Sequence, residues 1–216
     1  MARASQALKL PFLHVSCARV FSGNADRPYR EDDPADGDSS IAELLIAAEV
    51  MVREHCERHI NVRLGPVFAP TGINVITHML GQLREGGRLQ FDRRQRGCPV
   101  PVEDAARVIS GMLDQYSCGV EAWGNFHYCS ADATDCFEFA EVLLAAASQY
   151  LDLPDDVVQL VVGDSPEQPL DRSLDCRLIR DTFAIKQQPW RASVAGQVKD
   201  FYSQAPAEGL QRVESH

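Results

Sequence analysis

An α/β fold built on a parallel sheet is predicted by three features of this 216-residue sequence. The run from Phe12 to Phe21 is apolar enough for a strand buried on both faces, as in parallel sheets. A second such run spans Asn61 to Phe68. Between and after them, apolar residues recur at helical spacing, and strands alternating with helices argue for a parallel sheet.

Taken in order, residues 2 to 9 read as the tail of a helix that ends before Pro11. After the first strand, Asn24 to Asp38 is a polar loop rich in Asp and Pro. Ser39 or Ser40 can cap the next helix, with Glu43 completing a capping box from Ser40. Ile41, Leu44, Leu45, Ala48, Met51 and Val52 form its periodic apolar set. The second strand turns at Ala69-Pro70-Thr71-Gly72, and a helix follows from about Asn74 to Leu83. Leu89-Gln90-Phe91 is a short strand that enters the basic run Arg93-Arg94-Gln95-Arg96-Gly97. Pro101 opens a helix through Tyr116, with Glu103 and Asp104 suited to its positive end. Gly124 to Ser130 reads as a strand, and Asp135 to about Tyr150 as a helix. Val157 to Val162 is a candidate strand, Leu174 to Phe183 and Trp190 to Tyr202 are helical, and residues 204–216 read as a frayed tail.

The balance of 21 Lys+Arg against 31 Asp+Glu argues against nucleic acid as a partner, which requires a basic footprint. Seven cysteines without a Cys-x-x-Cys pair fit a reducing, cytoplasmic setting better than a disulfide framework. The N-terminus does not read as a signal peptide, and no apolar run approaches the ~18 residues of a membrane span. His55 and His59, spaced i and i+4, could face a metal from a helix, but nothing suggests a third ligand and no metal site is assigned.

The segment Ser16-Cys17-Ala18-Arg19-Val20-Phe21-Ser22-Gly23, then Pro28-Tyr29-Arg30-Glu31-Asp32-Asp33, then Glu49 on a helix, resembles the dTDP-4-dehydrorhamnose reductase family of extended short-chain dehydrogenases. There the order is Ser-Thr-Asp-Tyr-Val-Phe-x-Gly, Pro-Tyr-x-Glu-x-Asp and Tyr-x-x-x-Lys-x-x-x-Glu. The likeness continues through Val62 to Pro70, Arg94 to Val100, Val102 to Ala106, Trp123 to Tyr128, and Ser173 to Ile185 with Trp190. It implies the C-terminal part of a Rossmann-like parallel sheet plus a small α/β substrate-binding lobe, the first half of the Rossmann domain being missing. On that reading residues 1–72 are the remnant of the NAD(P)-binding domain. Residues 73–203 are mainly the sugar-nucleotide-binding lobe, with some segments returning to the Rossmann part.

Two departures from the family pattern bear on function. The sequence contains no Gly-x-x-Gly-x-x-Gly turn, so no cofactor is expected for this chain, although the family uses NADPH. Counting back from Glu49 places Leu45 at the family's lysine and Ile41 at its tyrosine, while Cys17 stands at the Ser/Thr position. None of these supplies the proton relay of a carbonyl reductase. Ser16, one residue from Cys17, is expected on the opposite face of the strand. The resemblance implies a nucleotide-sugar ligand of the dTDP-rhamnose pathway type, with Cys17, Arg19, Pro66, Val67, Asn74, Arg94, Gln95, Gly97 and Pro99 as substrate-binding candidates. Arg93, Arg94 and Arg96 could grip a diphosphate, and a solvated loop accounts for them equally. The expected function is sugar-nucleotide binding without reductase activity. The alternatives are a divergent NAD(P)-dependent reductase or epimerase with a mis-called start, a regulatory subunit, and a non-functional fragment. A protein partner or homo-oligomer is expected through an open sheet edge.

Overall fold

The computed structural model describes residues 1–86, 89–91, 95–152, 157–160 and 170–204. Helix α1 (Ala2–Ala7) precedes strand β1 (Phe12–Cys17), which gives way to a 3-10 turn at Ala18–Val20. The first strand is therefore shorter than its apolar run. Helix α2 (Ser40–His55) is capped by Ser39, whose hydroxyl accepts from the Ala42 N–H at 3.2 Å. It ends at His55, and His59 opens β2 (His59–Leu64), so these two histidines do not share a helix.

The second apolar run is split into β2 and β3 (Val67–Phe68) at Gly65-Pro66. Proline has no N–H to give a ladder. Helix α3 (Val75–Arg84) is followed by the short strands β4 (Leu89–Phe91), β5 (Gln95–Gly97) and β6 (Val100–Pro101). Then come α4 (Val102–Ser117), β7 (Gly124–Tyr128), β8 (Thr134–Asp135) and α5 (Cys136–Ala147). Strands β9 (Val158–Leu160) and β10 (Leu170–Asp171) precede α6 (Arg177–Phe183) and α7 (Arg191–Gln204). Val161, Val162 and the tail from residue 205 lie outside the described residues.

The main sheet runs β1-β2-β7, all parallel, with Val15 beside Val62 and Val62 beside Phe126. Among the described residues β1 pairs on one side only. That overturns the expectation of a strand buried on both faces: Val15 is 46% exposed, while its neighbour Val62 is fully buried. The face that carries Val15 opens onto a cleft.

Among the described residues, two apolar cores result. One gathers the sheet with Val108 and Met112 of α4 and Ile179 and Phe183 of α6. The other gathers Phe68, Ile76, Leu80, Phe139, Leu143, Trp190, Val194 and Val198. The sheet core takes residues from both sides of position 72, reaching from Ala18 to Ile185. Helix α6 ends with Ala184 at φ +55°, a left-handed conformation that glycine adopts more readily.

Candidate functional site

A cleft of about 520 Å³ opens at the C-terminal ends of β1 and β2, where open α/β sheets receive their ligands. Residues 15–19 and 64–67 form its floor, Leu45 of α2 one side, and β5 with Thr134, Asp135 and Cys136 the other. Gly65 is obligatory here: a Cβ would lie 2.1 Å from the Cys98 carbonyl oxygen and 3.0 Å from the Cys129 Cβ. The end of β2 thus presses against the segment that leads into β6.

A three-stranded ribbon, β10-β5-β8, builds the far wall. Arg96 is in register with both Asp171 and Asp135, so this pairing brings chain segments from three places to the cleft. Arg172 follows β10 and is held by hydrogen bonds from Nε to the Phe21 carbonyl (2.8 Å) and from a terminal nitrogen to the Ser22 carbonyl (2.9 Å). Asp135 caps α5, accepting from the Glu138 N–H at 2.8 Å. Three arginines, Arg19, Arg96 and Arg172, and one acidic residue, Asp135, therefore line the cleft together with the apolar residues Val15, Leu45, Leu64, Val75 and Phe139.

Of the predicted site residues, Cys17, Arg19, Pro66, Val67, Gln95, Gly97 and Pro99 all line this cleft. Asn74 does not. Its side chain accepts from the Ile76 and Thr77 N–H groups and donates to the Thr71 carbonyl, so it serves the start of α3. Arg94 lies outside the described residues. Leu45 faces the cleft, whereas Ile41 is half exposed and stands away from its lining. Ser16 is also among the residues at the cleft. It is 3% exposed, and its hydroxyl has no hydrogen-bond partner among the described residues. Sequence reasoning missed Arg172 and Asp135, whose arrival depends on the ribbon pairing.

Behind the cleft the Glu49 carboxylate grips Arg63, accepting from Nε at 3.0 Å and from a terminal nitrogen at 2.7 Å. Both side chains are almost fully buried. The Arg63 guanidinium lies over the Phe21 ring at 5.1 Å and its third nitrogen is 3.3 Å from His127 Nε2. His127 Nδ1 is 3.1 Å from the Tyr29 carbonyl, and the tautomer that donates there leaves Nε2 to accept from Arg63. Burial, reinforced by the Arg63 charge, holds His127 down at about 3, so the imidazole stays neutral. The Tyr29 hydroxyl accepts from the Gly23 and Ala25 N–H groups and shapes the loop after β1. Tyr29 is not among the residues that line the cleft.

Among the described residues the strand-to-helix turns of the sheet differ from those that hold a dinucleotide's pyrophosphate. A pyrophosphate requires a glycine-rich turn between a strand and a helix N-terminus. Here β1 runs into a 3-10 turn carrying Arg19, β2 into Gly65-Pro66, and β7 into Cys129-Ser130. Among the described residues no parallel strand is followed by such a turn. Among the described residues no tyrosine, lysine or histidine lines the cleft.

Comparison with known proteins gives a consistent picture. The family described as RmlD substrate binding domain matches residues 1–203. The chain is 24% identical over 208 residues to dTDP-4-dehydrorhamnose reductase of Shigella flexneri, covering 94% of this chain and 70% of that protein. Among solved structures it resembles dTDP-4-dehydrorhamnose reductase of Bacillus anthracis in complex with NADP, with a TM-score of 0.78 and 19% identity over 92% of this chain and 68% of that one. The NAD complex of DesIV, a dTDP-glucose 4,6-dehydratase of Streptomyces venezuelae, gives a TM-score of 0.78 at 18% identity, covering 94% of this chain and 63% of that one. At these identities the structures establish the fold, a Rossmann-like mixed α/β arrangement with a parallel sheet.

Proposed function

We propose a sugar-nucleotide-binding function without reductase chemistry, starting from the fact that the chain belongs to the RmlD substrate binding domain family. The observation that carries the binding half is the cleft itself, with Arg19, Arg96 and Arg172 around an apolar floor. Guanidinium groups pair with phosphate through parallel N–H donors, and the apolar floor suits the faces of a sugar or a base. The observation that carries the second half is chemical. Leu45 and Cys17 line the cleft, and in the register that the resemblance implies they stand at the family's lysine and hydroxyl positions, where neither would relay a proton.

Two assays separate this reading from its rival, a divergent reductase of the kind its relatives' names describe. A dTDP-sugar raises the melting temperature of the protein, and Arg96→Ala weakens that binding about tenfold, the loss of one charge-assisted contact. NADPH with a 4-keto sugar nucleotide gives no oxidation above the enzyme-free rate. Turnover with NADPH overturns the non-catalytic reading. Failure of nucleotide sugars to shift the melting temperature overturns the binding reading.

A further inference from the structure

Three buried cysteines from distant parts of the chain meet behind the wall of the cleft. Cys98 stands just before β6, Cys129 just after β7, and Cys176 at the N-terminal end of α6. The Cys129 and Cys176 sulfurs are 3.7 Å apart, and both are directed at the Leu174 carbonyl oxygen, at 3.4 and 3.7 Å. The Cys98 thiol also touches Cys129, but it is engaged by the Ser173 hydroxyl at 3.5 Å. The half-buried Gln187 lies over Cys129, its amide nitrogen 3.6 Å from the sulfur.

We propose that Cys129 and Cys176 are a redox couple that closes to a disulfide when the folded protein meets a small peroxide. Their sulfurs already stand in contact, so side-chain rotation rather than backbone movement brings them to bonding distance. The Gln187 N–H favours negative charge on Cys129, which makes it the sulfur that attacks first. Its thiolate attacks one peroxide oxygen, so that the S–O bond forms as the O–O bond breaks. The departing hydroxide takes the thiol proton and leaves as water. The Cys176 sulfur then attacks the sulfenic sulfur, the S–S bond forms as S–O breaks, and a second water carries off the Cys176 proton. Two thiols lose two electrons and two protons, and one peroxide becomes two waters.

Contact with Cys176, with burial added, pushes the Cys129 thiol up, so its thiolate is scarce and the reaction slow at neutral pH. The pair thus closes under oxidant rather than serving as a permanent structural bridge, the usual pattern of disulfides in reducing compartments. The chain between the two cysteines carries β8, α5 and β10, which include much of the far wall of the cleft. A bond across 47 positions restricts the unfolded chain and fastens both ends of that stretch to β7. None of this depends on what the cleft binds.

Hydrogen peroxide on the folded whole chain tests the couple, in a Cys118→Ser background that removes the exposed thiol. Peptide mapping without reductant is expected to recover Cys129 joined to Cys176, with Cys98 still open to alkylation after denaturation. The oxidised protein melts at least about 5 °C higher than the reduced one and returns to the reduced value on addition of a thiol reductant. Cys176→Ser abolishes the cross-link and Cys98→Ser keeps it. The oxidised and reduced forms of the Cys118→Ser protein carry the test by themselves if either further variant fails to fold. Recovery of Cys129 and Cys176 as free thiols from the peroxide-treated folded protein overturns the proposal. So does a disulfide joining Cys129 to Cys98, a cross-link that forms only in urea, or an oxidised protein that melts no higher.

Discussion

The two cores of this protein are built on opposite terms. The sheet core packs against a buried charge cluster in which Glu49, Arg63 and His127 join α2, β2 and β7. The core around Trp190 is aromatic and aliphatic, with Phe68 edge-on to Phe139 and Phe139 tilted on Trp190. A buried ion pair adds little net stability over an apolar replacement, yet it punishes the loss of either partner. The apolar core tolerates change in proportion to the volume removed. The first is a register device, holding α2 at one height on the sheet, and the second is a filler. That height sets where Leu45 meets the cleft.

The contrast is sharpest if one partner of the cluster is removed. Glu49→Ala leaves Arg63 buried without its counter-charge and costs about 3–5 kcal/mol in urea unfolding. Replacing both, Glu49→Leu with Arg63→Met, recovers most of that loss. If the double variant is no more stable than Glu49→Ala, the register reading fails. In the other core, Trp190→Ala costs a similar 3–5 kcal/mol, but no second substitution of a neighbouring polar group restores it.

Gly65→Ala ranks next, because the added methyl meets backbone at 2.1 Å. A cost of about 1–3 kcal/mol is expected, together with weaker ligand-induced thermal shifts as the cleft floor moves. A pH dependence also distinguishes the cores. His127 is held at about 3 when folded, against 6.5 in a free chain. The unfolded state therefore takes up a proton that the folded state refuses. The stability from this group is complete above about pH 6.5 and is lost as pH falls towards about 3. Unfolding titrations of His127→Gln against wild type isolate this contribution from the neighbouring carboxylates, and equal slopes would contradict it. Least affected is the loop outside both cores. Arg27 pairs with Asp33 at 2.7 Å, on the surface, and holds that carboxyl down at about 2. Arg27→Ala is expected to leave the urea midpoint almost unchanged, with any small difference vanishing in high salt.

Much of this architecture was legible in the sequence, for reasons that differ by element. The strands of the main sheet announce themselves as apolar runs, and Glu49, counted from its motif, sits where it anchors α2. Helices α3, α4, α5 and α7 follow their periodicity and caps to within a few residues. The wall of the cleft did not announce itself. Strands β5, β8 and β10 are two or three residues long, too short for any periodic signal, and they pair across as much as 75 positions of chain. Arg172 and Asp135 enter the cleft through those pairings. The burial of Ser16 and the exposure of Val15 depend on what each face of the strand meets, which no local pattern encodes.

Both cores are closed late along the chain. Ile179 and Phe183 complete the first, and Trp190, Val194 and Val198 complete the second. A ribosome making this protein must therefore synthesise almost every described residue before either interior can shut. Until then the nascent chain carries the apolar strands of the sheet uncovered, in the state most open to aggregation and most in need of chaperones.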